Sequence, residues 1–187
     1  MDQISYQKWN NILGWVTFAI ALLTYSLTIE PTVSYWDCGE YISTSIKLEV
    51  GHPPGAPLFQ MLGAFFAMFT TDVTHIAKMV NFMSALASAF TILFLFWTIT
   101  ILTKKIIVKN NEMTLASTIA VFGSGIVGSL AYTFSDSFWF SAVEGEVYAM
   151  SSFLMALLFW LGLRWEAEMD NPRGHKWLLL ISFVVGL

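Results

Sequence analysis

The residues best equipped for chemistry lie in one stretch, YWDCGEYISTSIKLEVGHPPG. Asp37, Glu40, Thr44 and Lys47 follow one another at i, i+3, i+7 and i+10, which places them on one face of a helix. The segment Gly51-His52-Pro53-Pro54-Gly55-Ala56-Pro57 cannot continue that helix. An imidazole therefore stands in a rigid turn just beyond the charged face. A second acidic pair, Glu144 and Glu146, opens a later helix in SDSFWFSAVEGEVYAMSS. Carboxylates and a histidine in such loops can take up or deliver a proton. Each also has a plain structural reading. Asp37 is the third residue of a capping box begun by Ser34. Glu40 and Lys47 read equally as a solvated face, and His52 as a turn residue. Glu144 and Glu146 read as acids at the positive end of a helix dipole.

What must position these groups is a set of apolar segments. The chain has 187 residues, 56% hydrophobic, 16% aromatic and 12% charged, with net charge −4. A soluble domain carries about 25% charged residues, so a lipid bilayer must cover part of this surface. The fold class is all-α, a polytopic transmembrane helical protein. Spans are predicted at about 11–29, 76–103, 114–134, 147–163 and from 177 to 187, where the last apolar run stops short. The chain therefore reads as the N-terminal part of something longer. The apolar run 56–70 falls short of the roughly 20 residues a spanning helix needs. It reads as an interfacial helix, preceded by another at about 35–50. The first apolar segment has one preceding base, Lys8, and no small-x-small cleavage pattern, so it is a retained span.

Charge supports this layout. With 56–70 at the interface, Lys8, Lys104, Lys105, Lys109, Arg164, Arg173 and Lys176 lie inside and only Lys47 and Lys78 outside, as the positive-inside rule expects. Glu30, Asp37, Glu40, Glu49, Asp72, Asp136, Glu144 and Glu146 then all lie outside, while Asp2, Glu112, Glu166, Glu168 and Asp170 lie inside. Trp36 and Trp139 fall at the outer interface, and Trp9, Trp165 and Trp177 at the inner one. Phe138, Trp139 and Phe140 are expected to dip into the outer interface. Gly123, Gly125 and Gly128 fall within the third span, where Ser124 and Gly128 have the small-xxx-small spacing of close helix packing.

Several classes are excluded. A negative chain without a basic patch is no nucleic-acid binder. Cys38 stands alone, so there is no intrachain disulfide and no cysteine zinc site. There is no P-loop, GxSxG, HExxH or paired-histidine spacing. Asn110 and Asn111 lack the glycosylation sequon. No charge sits at the centre of a span, which leaves a proton relay or ion pathway without support.

The run YWDCGEYISTSIKLEVGHPPGAPLF, together with FWFSAVEGEVYAMSS, resembles the N-terminal part of a large membrane family common in Bacteroidetes-type bacteria. Its eukaryotic relative is an endoplasmic-reticulum protein O-mannosyltransferase acting on plexin-type extracellular domains. The resemblance covers nearly the whole chain. It implies a GT-C glycosyltransferase that takes sugar, mannose being one candidate, from a polyprenyl-phosphate donor. The expected acceptor is a protein Ser or Thr hydroxyl. The expected location is a bacterial inner membrane with the active face periplasmic, and the partners are membrane lipid, the lipid-linked sugar and the acceptor protein.

In that family the first outer loop carries an acid near the end of the first helix, and Asp37 matches it. Asp37 is then the general base and Glu40 orients the acceptor or raises the proton affinity of Asp37. Lys47 and His52 are candidates to meet the donor phosphate, and Trp36, Glu144 and Glu146 to bind substrate. No metal ligand is assigned, and a requirement for a divalent metal stays open. The alternative is a non-catalytic membrane scaffold or subunit that binds a partner through its acidic outer loops.

Overall fold

The computed structural model describes residues 3–108 and 113–187. Asp2, Lys109, Asn110, Asn111 and Glu112 lie outside the described residues. Among those described there are eight α-helices and no strand: α1 (Gln3–Leu27), α2 (Cys38–Lys47), α3 (Pro57–Ala67), α4 (Ile76–Ile107), α5 (Leu115–Thr133), α6 (Asp136–Ala142), α7 (Val147–Glu168) and α8 (His175–Val185). The fold is all-α. Four helical stretches are long and apolar enough to cross a membrane: Ile4–Leu27, Val73–Ile107, Leu115–Thr133 and Val147–Glu168. The chain is an integral membrane protein. α3, at 11 residues, rises only about 16 Å against a hydrocarbon core of roughly 30 Å.

The long helices overrun the predicted spans. α1 begins well before residue 11, and α4 and α7 continue past 103 and 163 to Ile107 and Glu168. Hydropathy marks where a helix enters lipid, whereas Lys104, Lys105 and Arg164 are good helix formers that let it continue into the interface. Lys104 and Lys105 also suit the negative end of the α4 dipole.

The residues form two compact units. A helical unit comprises residues up to 20, 90–133 and 154–187, and a loop unit comprises 21–89 and 134–153.

In the helical unit the third predicted span, now α5, meets α4 through small residues. A Cβ on Gly125 would lie 2.6 Å from Thr100 Cγ2, and one on Gly128 would lie 2.7 Å from Ile99 Cδ1. Ser124 Oγ is 3.0 Å from Thr103 Oγ1. Gly123 faces open space. Phe94, Trp97, Trp160 and Trp177 form a chain of ring contacts with centroids 5.2–6.1 Å apart, in the tilted and edge-on arrangements that aromatic quadrupoles favour.

In the loop unit, α2 and α3 cross closely. A Cβ on Gly63 would come within 2.7 Å of Ser45 Oγ. Gln60 Nε2 donates to Thr44 Oγ1 at 3.1 Å, which pairs two of the buried polar groups across this crossing. Leu48, at φ 51°, ends α2 in the left-handed region, and Glu49 N donates back to Thr44 O at 2.9 Å. The chain leaving α1 is pinned by α4: Asn81, fully buried, donates from Nδ2 to Glu30 O at 2.8 Å and to Thr32 O at 3.0 Å. Glu30 N donates to Val143 O at 3.1 Å, and Trp139 Nε1 to Thr28 Oγ1 at 2.8 Å. Seven residues expected as loop form α6. Phe138 turns inward from α6 against Tyr25, with centroids 6.2 Å apart, while Phe140 remains exposed.

Candidate functional site

The loop unit assembles its polar groups from α2, the turn after it and the segment before α7. The first turn of α2 departs from the local pattern. Ser34 is not the cap; Asp37 occupies that position and the helix begins at Cys38. One long-range contact and one local backbone feature set the capping box aside. The Ser34 hydroxyl is committed to a hydrogen bond with Glu144, and Trp36 adopts φ 61°. A non-glycine residue in the left-handed region costs about 1–3 kcal/mol and is held there by its surroundings. The Trp36 side chain is left in the open, the residue being 90% exposed.

As the cap, Asp37 makes no side-chain bond to a backbone N–H. Its carboxylate is therefore not consumed by the helix that positions it. Glu40, one turn on, binds the rigid turn twice: Oε1 accepts from His52 N at 2.6 Å, and Oε2 lies 3.0 Å from His52 Nδ1. That grip fixes the imidazole so that Nε2 faces Asp37 Oδ2 at 3.9 Å. Gly51 lies close to this grip: a Cβ there would come within 3.1 Å of Glu40 Oε1. Tyr41 closes the turn from one side, its ring 5.8 Å from His52 and 5.5 Å from Phe59.

The electrostatics follow from these contacts. The His52 backbone and side-chain hydrogen bonds hold the Glu40 carboxyl below the usual glutamate range. The bond to Glu40, with help from Glu40, Asp37 and Glu146 as charges, raises the His52 imidazole above its ordinary value. Single ligand atoms of Asp37, Glu40 and His52 all lie within 4.8 Å of one another, close enough to share one cation.

Glu144 and Glu146 are not the solvated helix-terminal acids that their position suggests. Each is only 5% exposed. Burial raises both, with Glu144 and Asp37 adding repulsion at Glu146. Ser34 bonds Glu144, and the Val147 N–H bonds Glu146 at the start of α7. Gly145 lets the two acids pack so deeply: a Cβ there would lie 2.9 Å from Asn81 Oδ1 and 3.2 Å from Ile42 Cγ1. Cys38 is fully buried beneath the same loop, within hydrogen-bond reach of Ser34 and Gly145, and burial pushes its thiol up.

Asp37, Glu40 and His52 are thus brought together, with Glu146 beside them. Lys47 is not drawn in. It lies ten residues along α2, roughly 15 Å by helix rise, and its Nζ is 4.0 Å from Glu49.

The chain from residue 37 to 187 matches the family model described as the protein O-mannosyl-transferase TMEM260 N-terminal domain. The chain belongs to this family. It is 29% identical over 147 residues to protein O-mannosyl-transferase tmem260 of Dictyostelium discoideum, covering 78% of this chain and 16% of that protein. It is 26% identical over 170 residues to protein O-mannosyl-transferase TMEM260 of Mus musculus, covering 91% of this chain and 22% of that protein. The chain therefore spans about a fifth or less of these relatives. No solved structure matches it.

The TMEM260 N-terminal domain, as matched here, begins at Asp37 and includes Glu40, Lys47, His52, Glu144 and Glu146. It also contains two residues that the sequence reading did not single out as part of this region: Asn81 and Gly145. Gly145, between two acids in VEGEV, offered a local signal. The role of Asn81 exists only through contacts 49 and 51 residues away in the chain.

Proposed function

We propose that this chain is the catalytic N-terminal part of a GT-C-type membrane glycosyltransferase. It transfers a sugar, mannose by the name of its relatives, from a polyprenyl-phosphate donor to a protein hydroxyl at the outer, periplasmic face of a bacterial inner membrane. The observation that carries this reading is Asp37. Its carboxylate is half exposed, caps no backbone donor and sits beside an imidazole oriented by Glu40.

In the reaction, the acceptor oxygen attacks the anomeric carbon as the bond from that carbon to the polyprenyl phosphate breaks. Asp37 takes the hydroxyl proton, and the phosphate leaves with the bonding pair. General-base catalysis contributes about 10²–10⁴-fold. Glu40 is a positioning residue that fixes His52. His52, cationic over a widened pH range because of Glu40, meets the donor phosphate, and Lys47 at the far end of α2 is the second candidate for that phosphate. Glu144 and Glu146 bound the acceptor side, with Trp36 as an exposed ring against which a sugar or peptide can stack. Inversion at the anomeric carbon rests on the family resemblance.

The same three side chains support a divalent cation as a second reading of the site, since Asp37, Glu40 and His52 each offer one ligand atom within 4.8 Å of the others. Oxygen and imidazole donors suit ions such as Mn²⁺ or Zn²⁺.

The deciding experiment uses the full-length protein with polyprenyl-phosphate mannose and a Ser/Thr acceptor, comparing wild type with Asp37→Asn. Transfer by the wild type and none by a folded variant supports the base. Transfer by both removes Asp37 from the mechanism. Transfer by neither, with acceptor binding retained, favours a scaffold that works through its acidic loops. Activity that survives chelation dismisses the cation.

A further inference from the structure

The helical unit contains a cavity of about 620 Å³ that the proposed transfer does not use. It is formed by the first turns of α1, the last turns of α4 and α7 and the start of α8. That volume falls within the range of small-molecule sites, about 300–1,000 Å³.

Three cations line it: Lys104, Lys105 and Arg164. Two are already neutralised by carboxylates. Lys105 Nζ lies 2.5 Å from Glu166 Oε2, and Arg164 donates to Glu168 Oε1 at 2.8 Å. Lys104 has no carboxylate within ion-pair distance among the described residues. Its Nζ lies 4.1 Å over the Tyr6 ring instead, an arrangement that leaves its N–H donors available. Three positive charges less two negative leaves one, which matches a singly charged anion. Asn10 also lines the wall, but its Oδ1 is buried away from the cavity space and is not counted as a ligand group. Trp97 Nε1 faces Gly14 and is likewise not counted. Trp160 and Trp177 complete the wall with indole faces of the kind that settle at the headgroup level of a bilayer.

We propose that this cavity binds the headgroup of an anionic phospholipid, a phosphodiester carrying one negative charge, as in phosphatidylglycerol. Lys104 contacts the phosphate, and Trp160 borders the glycerol. The positive-inside distribution puts these helix ends at the inner leaflet, and basic pockets between transmembrane helices on that side hold anionic headgroups.

The test is native mass spectrometry of the full-length protein from micelles containing phosphatidylglycerol and phosphatidylcholine, reading the ratio of the two retained adducts. The wild type retains phosphatidylglycerol preferentially. Lys104→Gln reduces that preference about fivefold, the effect of one basic residue near a lipid phosphate. Lys104→Arg keeps it, and so does Lys176→Gln, an exposed residue that removes the same charge outside the cavity. Equal retention of the two lipids by the wild type overturns the proposal. So does an equal loss in Lys104→Gln and Lys176→Gln, which indicates diffuse attraction. Displacement of phosphatidylglycerol by soluble glycerophosphoglycerol at matched concentration overturns the lipid as source and leaves a free phosphodiester site.

Discussion

The two units handle charge in opposite ways. In the loop unit, acids outnumber bases and are placed with little compensation. Glu144 and Glu146 are buried at 5% exposure, and Asp37 and Glu40 share one histidine. In the helical unit two of the cations at the helix ends are paired, Lys105 with Glu166 and Arg164 with Glu168, and Lys104 lies over the Tyr6 ring. Paired charges at a helix end hold structure together at small net gain. Buried carboxylates without a countercharge cost stability. The contrast separates a region of uncompensated acids from one whose helix ends carry paired charges.

That contrast breaks most directly at Asp37. Asp37→Asn in the full-length protein is expected to lower transfer by about 10²–10⁴-fold, with the melting temperature little changed because the side chain bonds no backbone group. A large drop in melting temperature would move Asp37 into the structural class.

Next come the glycines. Gly145→Val forces side-chain atoms onto Asn81 and Ile42, an overpacking expected to destabilise by about 1–3 kcal/mol. Gly123→Ala, facing open space, should instead stabilise its helix slightly, by up to about 1 kcal/mol. Unfolding followed by circular dichroism checks both, and equal effects would erase the distinction between a close approach and a tolerated glycine.

A smaller effect concerns pH. His52 is raised above 6.5 chiefly by Glu40, and Glu40 is lowered below 4.5 by His52. The His52 contribution is complete below 6.5 and is lost as pH rises through its higher folded value. The Glu40 contribution is complete above 4.5 and is lost as pH falls through its lower folded value. The turn is therefore tightest between those two values. Glu40→Gln is expected to lower the His52 midpoint in an NMR titration; an unmoved midpoint would show that the hydrogen bond does not set it.

The smallest expected change is at Lys47. Its pairing with Glu49 is exposed on both sides, so Lys47→Gln should alter stability by less than about 0.5 kcal/mol. A loss of transfer as large as that of Asp37→Asn would make Lys47, rather than His52, the phosphate contact.

Much of this was legible from the sequence. Hydropathy located the four long helices because lipid imposes one simple demand on length and polarity. The breaker run at residues 51–57 marked the turn that presents His52. What escaped was set by contacts far apart in sequence. The Ser34 capping box looked sound locally and failed because Glu144, more than a hundred residues away, takes the hydroxyl. Glu144 and Glu146 read as substrate-binding or helix-terminal acids, and their burial escaped because nothing local reports that Gly145 lies against Asn81. α6 was read as loop because seven residues are too few to show a period.

Asn81 is a fully buried residue of α4. By holding the carbonyls of Glu30 and Thr32, it ties the first loop to α4, the most protein-covered of the four candidate spans, with 56% of its apolar window buried against 17–28% in the others. A helix shielded from acyl chains responds least to their length. The segment that leads into α2 is thus anchored to protein rather than to lipid.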